Sequence, residues 1–421
     1  MAKLRRVLGL FELTLVGIGI ILGAGIYVLI GKAAGIAGNA VWLSFFLAAV
    51  VAAFTGLSYA ELSCMFPKAG AEYVYTRASF GKKIAWFTGW ILIFAAIIAG
   101  STVALGFAGY LNALVKTPIA LTAVFVILAV SAINFWGIKQ SVTLAIIFSI
   151  IESLGLLMII IIGLPYFGSV DYFEVNSLPS VFSAAALIFF AFIGFEEMVR
   201  LSEETKGTKK IMPKALLLAI IISTVIYVLV SISAISVIGA DKLAQSNSPL
   251  ADVMGSALGK ESSFVLSIVA LFATFNTVLL VLLSASRIAY GMAAEGSLPR
   301  LLANVNYKTR TPGFSIAIVG LISVAFIFLG GIETVGYLTD FLIFIAFVIV
   351  NLTVIKLRYT KPKMKREFKV PISIGKFPVL PLLGVITSAI LLMSITFEIA
   401  LYGIALLLAG LVFYWVYFKK F

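Results

Sequence analysis

Of 421 residues, 62% are hydrophobic and only 12% charged, about half the charged share of a soluble protein; this excludes an aqueous globular enzyme or binding module and puts the chain in a bilayer. The formal net charge of +13 would suit nucleic acid, but so apolar a chain predicts no nucleic-acid partner; the basic residues follow from membrane topology and anionic inner-leaflet lipid instead. With no histidine and one cysteine, Cys64, the chain lacks the usual neutral-pH proton carrier, the commonest metal ligand and any intrachain disulfide, so no metal or cofactor is expected.

At roughly 20 apolar residues per crossing, the sequence predicts an all-α polytopic membrane protein with twelve transmembrane helices, at 11–35, 40–65, 84–113, 118–136, 142–166, 178–200, 213–239, 260–292, 313–329, 333–357, 378–396 and 398–418. The first run is too long for a signal-peptide core of about 7–15 residues and is read as retained. It is interrupted in its middle by Gly23-Ala24-Gly25. The wider pattern, Gly17-x-Gly19-x-x-x-Gly23-x-Gly25, lacks the preceding strand that a dinucleotide fingerprint needs. Gly19 and Gly23 also stand at the spacing that brings helices together.

The fifth span carries Glu152 near its centre and is followed by a loop whose only charges are Asp171 and Glu174. The sixth span is interrupted like the first, at Gly194-Phe195-Glu196. A helix that unwinds in lipid must have its freed N–H and C=O groups satisfied by protein, water or ligand, because the hydrocarbon offers none. Packing alone explains the glycine spacing but not why a second break recurs five spans later.

Five spans precede the loop after the fifth and five more follow it, and an odd number per unit makes the second unit run through the membrane in the opposite sense. The expected organisation is thus a five-plus-five inverted repeat with discontinuous helices 1 and 6: residues 1–166, then 178–357, then two additional helices in 377–421. The binding site of such repeats lies near the midplane between the broken helices. A cytoplasmic N-terminus leaves only Lys32, Lys116, Lys242 and Lys260 of the 31 basic residues outside, so both termini are expected in the cytoplasm of an integral cell-membrane protein.

Charges at bilayer depth are functional candidates by default. They are Glu152, Glu196, Glu197, Arg200 and Asp340, while Glu12, Glu61 and Arg287 lie nearer the span ends and read as structural. Glu196 and Arg200 are four apart and Glu197 and Arg200 three apart, so either pair can meet on one helical face; pairing of Glu197 leaves Glu196, immediately after the break, as the better functional acid. Because an apolar setting favours the neutral form of a carboxylate, Glu152 and Glu196 are the proton-coupling candidates; Asp340 is a weaker one, since it can also face a wet cavity. The break itself suits an amino acid zwitterion: N–H groups after Gly25 for the carboxylate, and carbonyls before Gly23 and around Ile193 for the ammonium. Phe190, Phe192 and Phe195 supply bulk to close over it.

Four stretches carry a resemblance to a known family: Gly17-Ile-Gly-Ile-Ile-Leu-Gly-Ala-Gly-Ile-Tyr; Tyr59-Ala-Glu-Leu with Pro67-Lys-Ala-Gly-Ala-Glu-Tyr-Val-Tyr and Trp86-Phe-Thr-Gly-Trp; Phe192-Ile-Gly-Phe-Glu with Glu203-Glu204 and Pro213-Lys-Ala; and Ser286-Arg-Ile-Ala-Tyr-Gly-Met-Ala-Ala-Glu-Gly-Ser-Leu-Pro. Over nearly its whole length the chain resembles the amino acid–polyamine–organocation (APC) transporters, the amino acid permeases. The resemblance implies a LeuT-like fold and a substrate site formed by Ile21, Gly23, Ala24, Gly25, Phe190, Ile193, Gly194 and Phe195. Phe190, with Phe192, would gate it. The resemblance also implies that Glu152 stands where proton-coupled relatives often place a lysine in the position of a sodium ion, so that Glu152 with Thr274, Asn276 and Thr277 forms an alternative ion site.

The expected function is secondary active amino acid transport by alternating access, as proton symport, with a proton and an amino acid as partners and Na⁺ as the alternative ion. Exchange is the runner-up mode, and a channel or inorganic-ion cotransporter on the same scaffold is the second class. A channel needs a continuous polar lining that these sparse polar residues do not provide. An intramembrane enzyme lacks its chemistry.

Overall fold

The computed structural model describes residues 8–67, 71–203 and 205–419. Nearly all of it is helix: α1 (Leu10–Ile21), α2 (Ala24–Ala37), α3 (Val41–Met65), α4 (Ala71–Phe80), α5 (Lys82–Val115), α6 (Ile119–Trp136), α7 (Ile138–Gly163), α8 (Leu178–Ile188), α9 (Thr208–Gln245), α10 (Pro249–Leu258), α11 (Lys260–Ala294), α12 (Gly313–Ile327), α13 (Ile332–Thr360), α14 (Val379–Met393) and α15 (Phe397–Lys419). A two-residue hairpin, β1 (Ser373–Ile374) with β2 (Phe377–Pro378), sits in the basic loop before α14.

Among the described residues nine segments are long and apolar enough to cross a membrane, and three shorter apolar helices, α1, α12 and α14, accompany them. Outward faces are dense in large apolar side chains, such as Leu121, Phe125 and Leu128 on α6, Ile146, Ile150 and Leu154 on α7, and Leu408, Val412 and Trp415 on α15. Water would not tolerate so much apolar surface, whereas a bilayer matches it. Two helices that no apolar pattern announced, α4 and α10, lie outside the predicted spans.

Both interruptions are present, with different boundaries from those the sequence suggested. The first is tight: α1 stops at Ile21, Gly23 takes φ −42, ψ −161, and α2 restarts at Ala24. The second begins earlier than Gly194. α8, opened by the Ser177 side chain accepting from the Ser180 N–H, ends at Ile188; Phe189–Phe192 tightens to 3-10 geometry; Ile193 is extended; and Gly194 takes φ 127 before a second 3-10 stretch, Phe195–Glu203. Only glycine adopts that φ without strain. The two broken elements are tied at one end, the Lys206 N–H donating to the Leu8 carbonyl at 2.9 Å.

α5 and α11 pack along much of their lengths, α13 lies against α5, and α9 runs beside α1, α2 and α3. On its outer flank α5 is joined to α15 by an aromatic stack: Trp86 lies 5.3 Å from Trp90 and 6.2 Å from Phe413, and Trp90 donates to the Leu406 carbonyl at 3.2 Å. Glu61 has the structural role its position suggested. It is 1% exposed and accepts from Arg358 (2.7 and 2.6 Å), Arg366 (3.0 Å) and the Val370 N–H (2.8 Å), locking the ends of α3 and α13 to the following loop.

Candidate functional site

A cavity of about 590 Å³ enters between α5, α11 and the second break. Glu72, Tyr73, Arg287 and Glu295 surround its mouth, and Gly19, Ile20, Ile193, Gly194, Asn276 and Thr277 close its inner end. Between these the wall is apolar, with Leu92, Leu201, Leu280, Val281 and Ile288. On the opposite face a smaller cavity of about 370 Å³, lined by Val28, Lys32, Tyr110, Asn247 and Glu333 among others, stops short of the breaks.

The layer between the cavities is shut by close backbone packing. A Cβ on Gly106 would sit 2.3 Å from Val28, and one on Gly25 would sit 2.5 Å from the Ala191 Cα. Hydroxyls complete the seal. The Tyr227 hydroxyl, from the middle of α9, donates to the Ile21 carbonyl and lies 2.8 Å from the Ala191 carbonyl, so one phenol joins the two breaks. The Tyr110 hydroxyl donates to the Tyr27 carbonyl (2.8 Å), and the Tyr27 hydroxyl to the Glu152 carbonyl (2.6 Å). Sequence reasoning missed these tyrosines; the available signal was a phenol in the middle of an otherwise apolar span, where a polar tip needs a partner.

The predicted substrate residues divide into three groups. Ile193 and Gly194 line the large cavity. Ile21, Gly23, Ala24 and Gly25 lie at the first break, where the Ala24 N–H donates to Thr277 Oγ1 at 2.9 Å and the missing Cβ of Gly23 lets that hydroxyl approach. Phe190, Phe192 and Phe195 are buried outside the cavity wall: Phe192 meets Tyr227 edge-on at 5.2 Å, and Phe195 packs between Tyr59 (5.8 Å) and Phe347 (5.3 Å).

The acids also differ in setting. Glu196 turns back on its own chain, Oε2 accepting from the Gly194 N–H at 2.9 Å, and thus helps hold the break. Glu197 accepts from Ser284 at 3.0 Å; the Arg200 side chain, its expected partner, lies outside the described residues, as do Lys68 and Glu204. Glu152 is fully buried, and neither carboxylate oxygen has a well-formed hydrogen bond. Asn276 and Ser149 stand beside it, joined to each other at 3.2 Å, with Asn276 Oδ1 unpartnered. The Thr274 hydroxyl donates to the Ala270 carbonyl of its own helix (2.6 Å). Glu152, Asn276 and Thr277 therefore gather where α7 and α11 meet the first break, and Thr274 turns away.

A family model described as amino acid permease matches residues 8–418. This chain belongs to the amino acid permease family. The permease is similar to the branched-chain amino acid permease BcaP of Bacillus subtilis, at 32% identity over 99% of this chain and 94% of the relative. It is also similar to the methylthioribose transporter of the same organism, at 30% over 91% of this chain and 87% of the relative, and to the vacuolar cationic amino acid transporter 4 of Arabidopsis thaliana, at 28% over 86% and 64%. It is accordingly an integral membrane transport protein and not an enzyme.

Proposed function

We propose that this permease is a secondary active amino acid transporter working by alternating access, seen here with its cytoplasmic pathway open. The observation that carries the reading is the pair of broken helices clamped together by Tyr227, with a large cavity ending on them from one face and a smaller one sealed off on the other. A channel would have a continuous path instead. The mouth of the large cavity is assigned to the cytoplasm because the basic loops lie on that face. We read residues 1–166 and 178–357 as the two inverted repeats of a twelve-span, LeuT-like protein, and 377–421 as additional helices. Supporting this, the first element of each unit is the broken one, and the Leu8 carbonyl before the first is tied to the Lys206 N–H after the second.

In this reading the substrate carboxylate takes the α2 N-terminus, competing with Thr277 for the Ala24 N–H, and the ammonium takes carbonyls of Ile21, Phe190 and Ile193. The apolar wall formed by Leu92, Leu280, Val281 and Ile288 fits an aliphatic side chain, in keeping with the relative named for branched-chain amino acids. Glu152 carries the coupling proton. A neutral carboxyl needs no full ligand shell, whereas Na⁺ would need several oxygens and Thr274 is turned away. Amino acid exchange uses the same site and differs only in whether the empty carrier reorients.

The test is uptake of labelled amino acids into proteoliposomes with a substrate preload, under an imposed pH gradient. The expected result is acceleration by internal substrate, as only a carrier gives, and stimulation by external acid that Glu152→Gln abolishes while counterflow survives. Counterflow without any pH response in wild type would favour exchange; flux without counterflow would refute the carrier.

A further inference from the structure

Asp340 is a buried acid with no part in the cycle described so far. It lies on α13, about two turns from the outer end, with no exposure and no well-formed hydrogen bond to either carboxylate oxygen. One face of α13 follows the second broken element along its length. Gly336 meets Leu187 and Leu29, Asp340 meets the backbone N–H of Phe190, Phe344 stacks on Phe189 at 4.9 Å, and Phe347 lies 5.3 Å from Phe195. Asp340 thus stands against the segment where α8 gives way to 3-10 geometry, on the sealed side of the breaks and away from Glu152.

Among the described residues no countercharge reaches it. On its own helix the neighbours that titrate are Glu333, which pairs with Lys32 at 3.6 Å near the outer cavity, and Tyr337, whose hydroxyl donates to the Ser183 carbonyl at 3.0 Å. Residues 178–192 and all of α14 contain no ionisable side chain. On α5, between Lys83 and Lys116, the sole one is Tyr110, engaged with Tyr27. Glu61 and Cys64 on α3 and the ionisable groups of α4 belong to the cytoplasmic end of α13, while Tyr59 on α3 donates to Glu72. Glu398 and Tyr402 on α15 bond to each other. An ionised carboxylate so enclosed has lost its water and gained no countercharge, only the neighbouring Phe190 N–H.

We propose that Asp340 is a second proton-binding site of the transport cycle: it holds a proton while the outer pathway is sealed and exchanges it with the external solution when the Phe189–Phe192 segment moves. The proposal rests on the alternating-access reading. It adds a proton at the outer gate to the one that Glu152 carries in the α7–α11 cluster. Protonation neutralises the group and lets the segment close over it; ionisation favours the state in which water reaches it.

The composition offers a direct probe. The chain has four aspartates, and the other three, Asp171, Asp241 and Asp252, are exposed to solvent. Infrared spectra of protein labelled with ¹³C at the aspartate γ-carboxyl should therefore show a labelled carboxylic-acid band at neutral pH, lost in Asp340→Asn. Absence of that band in wild type overturns the proposal, and would do so in favour of a bound cation if Na⁺ or K⁺ raised thermal stability. In proteoliposomes, Asp340→Asn is expected to retain counterflow and lose the dependence of uptake on external pH; a wild-type pH profile in this variant overturns the proposal. If the variant does not fold, the wild-type band is followed as pH and substrate are varied, and a band that never responds refutes an exchanging site. Wild-type counterflow, measured in parallel, reports separately on the carrier reading.

Discussion

Removing the Tyr227 hydroxyl should open the outer pathway. In Tyr227→Phe the ring stays against Phe45 and Phe192, but the carbonyls of Ile21 and Ala191 lose their shared donor inside a sealed layer. Leaving a buried acceptor unsatisfied costs about 1–3 kcal/mol, here confined to the state in which both breaks reach the phenol and equivalent to a shift of roughly 5–150-fold in the conformational equilibrium. The single native cysteine makes the readout clean. In a Cys64→Ala background, Val28→Cys, buried against Gly106 in the sealed layer, reports on the outer pathway and Leu280→Cys on the inner cavity. Labelling by a membrane-impermeant maleimide at Val28→Cys should accelerate by the same factor, because the minor state gains most in proportion, while labelling at Leu280→Cys falls modestly. A change of less than about twofold at the outer site would show that the phenol does not distinguish the two states.

Two further substitutions test the frame and the break. Glu61→Gln leaves Arg358 and Arg366, 4% and 7% exposed, without their counter-ion; breaking a buried pair in this way should cost about 3–5 kcal/mol. Thermal unfolding in detergent checks it, and a loss below about 1 kcal/mol would mean these charges behave as solvated ones. Gly194→Ala forces a Cβ to 2.8 Å from the Ile20 side chain at φ 127, a strain of about 1–3 kcal/mol. The variant should fold yet lose counterflow, and wild-type transport by it would show that the second break does not depend on the φ that glycine alone adopts at 194.

The apolar spans are legible because bilayer thickness dictates their length, and the first break because three small residues interrupt it. The second lies several residues earlier than the glycine that marks it in the sequence. Phe-Phe-Ala-Phe reads as good spanning sequence, and its 3-10 geometry arises from tertiary contacts with Phe344, Phe347 and Asp340 that no local pattern encodes. α4 escapes notice because a short helix bearing Glu72, Tyr73 and Arg77 has the composition of a loop. Glu152, Asn276 and Thr277 emerge from asking which polar residues lie at depth. Tyr27, Tyr110 and Tyr227 do not, since tyrosine is grouped with the hydrophobic residues and its hydroxyl becomes visible only once its acceptor is known.

The aromatic stack between α5 and α15 bears on which parts can travel. α5 presents Gly89 and Leu92 to the cavity and, from its opposite flank, sends Trp86 and Trp90 into the last helix, where Gly410 leaves room for the Trp90 indole. A wall gripped from behind makes a stationary reference. In the proposed alternating-access cycle, the displacement that carries a solute across would then fall to the broken helices sliding over α5, with α15, remote from the cavity, as the ballast that keeps that wall still.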